Sequence, residues 1–156
     1  MRLKTSYSAR EVAALTGLTA RQLQGWDANR VFQSAIASRR TSVGGFTERR
    51  YSPVDVLELL ALAELRRRGF TPSALKQMMD VLRDYFRRRL SETLDDAGEL
   101  RLLTDGRGLF LRTRQGHVFD LLADPTQPLI TGDGLPLKPV TGRARAKRRK
   151  KAAPIS

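Results

Sequence analysis

The 156-residue sequence contains no cysteine and a single histidine. Disulfides, thiolate metal sites and a cysteine nucleophile are therefore excluded, which is consistent with a reducing compartment. No run approaches the roughly 18 apolar residues that a membrane span needs. The opening MRLKTSYSAR lacks the apolar segment and the small-residue cleavage site of a signal peptide. We therefore expect a cytoplasmic protein without a membrane partner.

Residues with the chemistry of an active site are also scarce. The Gly-rich phosphate loop followed by Lys and Ser or Thr is missing. His117 falls in an expected strand with no second histidine at metal-ligand spacing, so a surface or edge position explains it better. Asp95 and Asp96 lie at a junction between elements, where carboxylates are usually solvated. We expect no catalytic activity, no metal and no cofactor.

Positive charge is abundant and unevenly distributed. The chain has 29 Lys and Arg against 16 Asp and Glu, a net charge of +13. Residues 1–90 carry 17 basic and 8 acidic side chains, residues 91–134 carry 4 and 8, and residues 135–156 carry 8 and none. Excess positive charge favours phosphate backbones through counterion release, although it also keeps many proteins soluble. The acidic middle region suggests a different partner.

Two capping boxes indicate two short helices near the N-terminus. A hydroxyl side chain followed three residues later by Glu or Gln occurs at Ser8 and again at Thr19. Gly17 suits the left-handed conformation that ends many helices. Two short helices joined by a Gly-containing turn are typical of a helix-turn-helix. We predict the second helix from Thr19 to about Trp26.

This second helix carries side chains that can contact DNA bases. The N-terminal residues of a helix in the major groove reach the base edges. Here they include Thr19, Arg21 and Gln22, with Gln24 on the next turn. Arg can bond guanine bidentately and Gln can bond adenine bidentately. Thr19 is explained equally well as a cap alone, and the Arg21 and Gln22 side chains as part of a solvated face.

Helical periodicity disappears over residues 29–47. The segment SRRTSVGGFTERRYS has basic pairs on both sides of a Gly-Gly turn, and it predicts a loop and a short hairpin, or wing. A basic β-ribbon beside a reading helix would contact phosphates of the adjacent groove. Its candidate DNA-binding residues are Arg39, Arg40, Arg49, Arg50 and Tyr51.

Two longer helices are expected after the hairpin. Ser52-Pro53 and Thr71-Pro72 each provide a cap followed by a proline suited to the first helical position. The second of these helices carries an apolar stripe of period 3.6 that extends to the end of the helix, which reaches at most to about residue 90. We expect the stripe to pack intramolecularly and, with its C-terminal end, to form a homodimer interface. Its residues are Leu75, Met78, Met79, Leu82, Tyr85 and Phe86.

The remaining residues predict a small sheet and a tail. Asp105-Gly106 is a strong hairpin signal, and Gln115-Gly116 is a weaker one, so we expect an antiparallel meander of about three strands. The Gly, Pro and basic content of residues 132–156 indicates a disordered tail. Its cations would add phosphate affinity to DNA or RNA, or serve only for solubility; the run also looks like a nuclear localisation signal. The tail candidates are Arg143, Arg145, Lys147, Arg148 and Arg149.

The order of these elements resembles the MerR-type winged helix-turn-helix family. The matching stretches are YSAREVAALTGLTARQLQGWD and GGFTERRYSPVDVLELLALAELRRRGFTPSALKQMM, within residues 7–82. The resemblance implies that the helix from Thr19 reads the major groove. It implies that Arg49 and Tyr51 contact phosphates or support that contact. It further implies a bacterial, nucleoid-associated regulator that binds two-fold operators as a dimer.

The sequence departs from this family at three places. Gln24-Gly25 replaces the usual Arg-Tyr, which removes an expected phosphate contact, and Arg30-Val31 replaces the usual Gly-Leu. The following loop, residues 32–44, is longer and bears Arg39 and Arg40, which could substitute for the missing charge.

The overall prediction is an α+β chain. A mainly helical winged helix-turn-helix domain at 1–90 is followed by a small antiparallel β-meander at 91–131 and a disordered basic tail at 132–156. The expected function is sequence-specific binding of double-stranded DNA in transcription regulation. The alternative is a DNA-binding antitoxin or adaptor whose meander at 91–131 binds a partner protein, as in small MerR-like proteins that end in a β-hairpin. A basic RNA-binding protein ranks last, since exposed stacking aromatics are few.

Overall fold

The computed structural model describes residues 4–34, 39–40, 47–129 and 136–142, with backbone only at 39–40 and 47–48. The helices are α1 (Ala9–Thr16), α2 (Ala20–Ala28), α3 (Pro53–Arg67) and α4 (Pro72–Val81), followed by a π-helical turn (Leu82–Phe86) and a 3₁₀ turn (Leu90–Thr93). The strands are β1 (Tyr7–Ser8), β2 (Arg39–Arg40), β3 (Thr47–Glu48), β4 (Arg50–Tyr51), β5 (Leu100–Thr104), β6 (Leu109–Thr113), β7 (Val118–Asp120) and β8 (Lys138–Pro139). In this part of the chain no helix is long and apolar enough to cross a membrane.

The two N-terminal capping boxes form as predicted. The Ser8 hydroxyl accepts the Glu11 N–H at 3.1 Å, and the Glu11 carboxylate accepts the Ser8 N–H at 2.9 Å. Gly17 ends α1 with φ of 82°, in the left-handed region that glycine adopts without strain. The predicted helix-turn-helix is thereby confirmed as a local structure, with α2 ending two residues later than expected.

Backbone pairing is present where the hairpin was expected. Strands β2 and β3 pair antiparallel, with Arg39 opposite Glu48 and Arg40 opposite Thr47. The Gly-Gly turn between them lies outside the described residues. Strand β4 pairs with β1, which places Tyr7 opposite Tyr51 and fixes the hairpin base to the start of α1.

Helices α3 and α4 start at the predicted Ser52 and Thr71 caps, whose hydroxyls accept N–H groups three residues on. The second helix ends four residues before residue 90, the furthest position that the sequence pattern allowed. After the π-helical turn, Arg87 adopts a left-handed conformation with φ of 57° and ends the helix. The early break lets the chain turn back and bury Leu90 in the core.

Most of the apolar stripe of α4 packs against other parts of the same molecule. Leu75, Met78 and Leu82 are at most 1% exposed and belong to the main core cluster. Tyr85, at the C-terminal end of the stripe, is 49% exposed. A dimer interface on the buried part of the stripe is therefore excluded, and only its C-terminal end remains available.

The C-terminal strands form one antiparallel sheet in the order β7-β6-β5-β8. The predicted Asp105-Gly106 turn joins β5 to β6, with Thr104 opposite Leu109. One face of the sheet is buried in the same hydrophobic cluster as the helices. This shared cluster includes Leu59 and Leu62 of α3 and Leu102, Leu109 and Leu111 of the sheet. The meander and the helical region thus share one core.

The prediction that everything after residue 131 is disordered is wrong for residues 136–142, here called the strap. Strand β8 in the strap pairs with β5, and Val140 is fully buried. The Arg101 guanidinium donates to the Val140 carbonyl at 2.6 Å, and the Glu64 carboxylate faces the N–H groups of Thr141 and Gly142 at 3.3 Å. The Gly and Pro content of this segment indicated disorder. The sequence pattern did not reveal the strap because its bonding partners lie 39 to 78 residues away in the chain.

Candidate nucleic-acid interface

Helix α2 has a buried inner face and an exposed outer edge. Leu23 and Trp26 are 3% and 5% exposed and anchor the inner face in the core. Thr19 and Arg21 are exposed at the N-terminal end of the helix. The Arg21 guanidinium forms no hydrogen bond or ion pair with any residue that the structure describes. The donors of this side chain are therefore available to an external acceptor.

Gln22 is committed to the helix cap. Its Oε1 accepts the Thr19 N–H at 2.8 Å, and the Thr19 hydroxyl accepts the Gln22 N–H at 2.9 Å. Bidentate pairing with adenine needs the amide oxygen and the amide nitrogen at the same time. Gln22 can therefore pair this way only if the capping box opens. Of the two explanations for Thr19, the structure shows the cap.

Gln24 lies three residues after Arg21, a spacing that places two side chains on the same side of a helix. It is exposed, as Arg21 is. Arg21 and Gln24 therefore form the outward polar edge of α2, whereas Gln22 is half-buried beside it.

The sequence interpretation missed two arginines beside this helix. Arg66 and Arg67, in the last turn of α3, line a cleft of about 250 Å³ together with Gly17 and Gln22. The Arg67 guanidinium is 3.5 Å from the Thr16 carbonyl, next to the turn between α1 and α2. The run Arg66-Arg67-Arg68 is the feature of the sequence that could have indicated these phosphate-binding candidates. Only the packing of α3 against α1 shows that the run lies beside the α1–α2 turn.

Arg49 connects the hairpin to α2. Its Nε and Nη2 atoms lie 3.4 and 3.2 Å from the Asp27 carboxylate, and both side chains are about one-third exposed. Arg50 donates to the Ser6 hydroxyl at 2.7 Å. Both arginines are therefore held by the protein itself, which restricts the positions from which they can approach a phosphate.

Tyr51 lies in the hydrophobic core and is 2% exposed. Burial raises the pKa of its hydroxyl group, and the charge of nearby Arg49 opposes this rise to a smaller extent. The ring is inaccessible to a phosphate group. Of the two roles that the family resemblance implies for Tyr51, this burial is compatible with support of the phosphate contact and not with a direct contact.

A family model described as MerR HTH family regulatory protein matches residues 7–82. These residues form a MerR-type domain. The match runs from β1, through the helix-turn-helix and the hairpin, to the end of α4. The MerR-type domain is of a kind found in DNA-binding transcription regulators. No curated protein matches the chain.

Several predicted DNA contacts of the MerR-type domain and its tail lie outside the described side chains. The backbones of Arg39 and Arg40 are described but their side chains are not. The tail candidates Arg143, Arg145, Lys147, Arg148 and Arg149 lie outside the described residues altogether. The described residues contain no group of three His, Cys, Asp or Glu side chains that could hold a metal ion.

Arg30, which stands where the family usually has Gly, has a positive backbone φ angle. Arg30 follows α2 with φ of 58°, in the left-handed region where the family's usual glycine would be unstrained. A non-glycine residue in this conformation costs on the order of 1 kcal/mol. Arg30 therefore places a guanidinium on this left-handed turn.

Proposed function

We propose that the chain is a sequence-specific transcription regulator whose helix α2 enters the DNA major groove. The observation that carries this proposal is the exposed Arg21, whose guanidinium has no bond to any described residue, at the leading end of a helix anchored by Leu23 and Trp26. An arginine in this position can donate two hydrogen bonds to a guanine. Gln24 is the second candidate for base contact, ahead of Gln22.

Phosphate contacts would flank the reading helix on two sides. Arg66 and Arg67 lie beside the α1–α2 turn, and Arg49, which directly follows the second strand of the basic hairpin, is tied to the far end of α2. Phosphate contacts position a protein on the duplex without carrying sequence information. Arg39 and Arg40 in the long loop would replace the charge that is absent at Gln24-Gly25.

The basic tail would add affinity that does not depend on sequence. Seven cations lie between positions 143 and 151, and the strap fixes the start of this segment against Leu57 and Glu64 of α3. Each phosphate that the tail neutralises releases counterions, so its contribution falls as salt increases. Removal of residues 143–156 should flatten the dependence of log affinity on log salt.

We infer that the regulator acts as a homodimer in a bacterial cytoplasm. The exposed Tyr85 supports an interface at the end of the α4 stripe, where its ring packs edge-on against Phe86 at 4.9 Å. A two-fold dimer would bind two half-sites about one helical turn of DNA apart. Light scattering of the full chain at micromolar concentration should give twice the monomer mass; a monomer would overturn this part of the proposal.

The deciding experiment is enrichment of bound sequences from a random duplex pool with the full chain. We expect a two-fold motif with a guanine at the position that Arg21 contacts. Arg21→Ala should weaken specific binding by roughly 1–3 kcal/mol and relax the preference at that base pair. Arg107→Ala, which removes an exposed arginine in the β5–β6 turn, is the matched control. Unenriched sequences, or equal losses in both variants, would contradict the proposal.

The partner-binding alternative receives less support from the structure. The sheet that would bind a partner protein buries Leu102, Leu109 and Leu111 in the chain's own core. Its acidic residues still distinguish this region from the basic ends of the chain. A protein that co-purifies in a 1:1 ratio and is lost when residues 100–129 are altered would favour this alternative.

A further inference from the structure

A cleft of about 470 Å³ lies between the loop after α2, helices α3 and α4, and the segment that follows the π-helical turn. Its volume is in the range of sites that hold small organic molecules. Three of its apolar lining residues belong to the buried core: Phe32, Leu82 and Leu90, which are 1–6% exposed. The cleft therefore has an apolar floor that the fold itself keeps in place.

The rim of this cleft is predominantly basic. Its cations are Arg30, Lys76, Arg83, Arg88 and Arg89, and its acidic residues are Glu58 and Asp80. Lys76 and Arg83 share the Asp80 carboxylate at 2.9 and 3.1 Å, and Arg89 lies 3.2 Å from Glu58. Arg83 also pairs with Asp84, and Arg88 pairs with Glu99 at 2.8 Å. A guanidinium has five N–H donors, so these carboxylates leave some of the donors for a ligand.

Arg30 differs from the other rim cations. Its side chain is exposed and makes no hydrogen bond or ion pair with any residue in the described part of the chain. It projects from the turn after α2, immediately before Val31 and Phe32 of the cleft lining. Its charge is therefore the one most readily available to an anion that enters the cleft.

Backbone strain is concentrated at the same place. Among the described non-glycine residues, two have positive φ: Arg30 at 58° and Arg87 at 57°. Arg30 lines the cleft, and Arg87 directly precedes the lining residues Arg88 and Arg89. The π-helical turn (Leu82–Phe86) supplies two further lining residues. Strained backbone and π-helical turns are both enriched where proteins hold ligands.

We propose that this cleft is a binding site for a small amphipathic organic anion. Its acidic group, a carboxylate, sulfonate or phosphate, would bind the arginine rim at Arg30, and its apolar part would lie on Phe32, Leu82 and Leu90. The site is at the opposite end of α2 from Arg21, so it is separate from the proposed reading edge. Binding of such an anion does not depend on whether the chain binds DNA.

The probe for this site is the apolar sulfonate 8-anilinonaphthalene-1-sulfonate, titrated into the full chain. Trp26 is the only tryptophan, and its carbonyl accepts the N–H groups of Val31 and Phe32 at 2.8 and 3.3 Å. Energy transfer from Trp26 therefore reports binding of the probe to the chain, and the Arg30 variant below locates the site. We expect one saturable site, displaced by octanoate but not by octanol. Several non-saturable sites, or equal displacement by octanol, would overturn the proposal.

Arg30→Gly is the deciding variant because it removes the cation and relieves the strained backbone together. We expect the dissociation constant of the probe to rise about tenfold, as for loss of one hydrogen bond to a charged group. The melting temperature should not fall, which separates a lost ligand contact from a damaged fold. Arg107→Gln removes the same charge from the distant β5–β6 turn and should leave the constant unchanged. Equal constants in wild type and Arg30→Gly would contradict the site.

Discussion

The helix-turn-helix and the C-terminal sheet with its strap use their polar side chains differently. In the helix-turn-helix, hydroxyl, Glu and Gln side chains bond to backbone groups three residues away, as at Ser8 and Thr19. In the sheet, Arg101 bonds a carbonyl 39 residues away, and the strap reaches Glu64 over 77 residues. Local capping leaves the outer edge of α2 free, whereas distant bonds hold the C-terminal segment to the core.

This difference gives two arginines opposite roles. Arg21 is exposed and has no described partner, whereas Arg101 is 6% exposed and bonds Asp96 and the carbonyls of Thr93 and Val140. Each contributes one unit to the same net charge. The count of 29 Lys and Arg therefore overstates the number of cations that are available to DNA.

The largest effect expected from this comparison is on folding stability. Arg101→Met should lower the free energy of unfolding by about 3 kcal/mol or more, because two buried carbonyl groups lose their donor. Arg21→Met, the matched change on α2, should alter it by less than about 0.5 kcal/mol. Urea denaturation of both variants measures the two values. Similar losses would remove the distinction between structural and available arginines.

A smaller effect is expected from two glycines in left-handed conformations. Gly17 in the helix-turn-helix has φ of 82° with open space around its Cα, so Gly17→Ala should cost about 1 kcal/mol from strain alone. Gly142 in the strap has φ of 68°, and an added Cβ would lie 3.1–3.3 Å from Leu57 and Leu94. Gly142→Ala should therefore cost about 2 kcal/mol.

Thermal unfolding of both glycine variants distinguishes the stability cost of backbone strain from the additional cost of the close contacts at Gly142. The difference between their melting temperatures reports how closely the strap packs on α3. If the two variants melt together, the strap contributes no tight contact at Leu57, and Gly142 is less closely packed on α3 than the distances indicate.

The parts of the fold that were predictable depend on signals within about four residues. The caps at Ser8, Thr19, Ser52 and Thr71 and the turn at Asp105 all have this form, and all are present. The strap and the pairing of β1 with β4 were not predicted. Their partners come from distant parts of the chain, so no short window of sequence contains them.

The candidate site was predictable to a similar extent. The exposure of Arg21 follows from the inward positions of Leu23 and Trp26, which the helical period gives. For Gln22, the sequence indicated both a capping role and a base-reading role, and one amide oxygen cannot serve both at once. The position of Arg67 beside Thr16 depends on packing between α1 and α3, which the sequence does not display.

A third prediction concerns the ion pair between Asp27 and Arg49 in the candidate DNA interface. Asp27 and Arg49 are 22 residues apart and about one-third exposed. A double-mutant cycle of Asp27→Ala and Arg49→Ala should give a coupling energy of about 0.5 kcal/mol, because solvent screens this pair. Urea denaturation of the four proteins measures it. A coupling energy as large as the stability loss in Arg101→Met would show that this pair stabilises the fold as strongly as Arg101 does.

The smallest expected effect concerns two carboxylates, Glu11 and Asp105, whose pKa values are lowered by different kinds of contact. Contact with Lys4, and then the Ser8 N–H, lowers the pKa of Glu11 below its ordinary 4.5. The N–H groups of Gly108 and then Arg107 lower the pKa of Asp105 below its ordinary 3.8. Since both values are lowered, each carboxylate stabilises the fold above its ordinary pKa, and the contribution is lost as pH falls through the lower native value.

Salt should affect these two pKa values unequally, because it screens the charge of an exposed lysine more than a short hydrogen bond from the backbone. Asp105 Oδ1 accepts the N–H groups of Arg107 and Gly108 at 2.9 and 2.8 Å within its own turn. Carboxyl resonances followed by NMR during acid titration should show the Glu11 pKa rising towards 4.5 in high salt, with that of Asp105 nearly unchanged. Lys4→Gln should reproduce the rise at Glu11 without added salt. If salt moves both pKa values equally, the hydrogen bonds of the Asp105 turn are weaker than the distances imply, and local backbone bonding is not what holds this carboxylate.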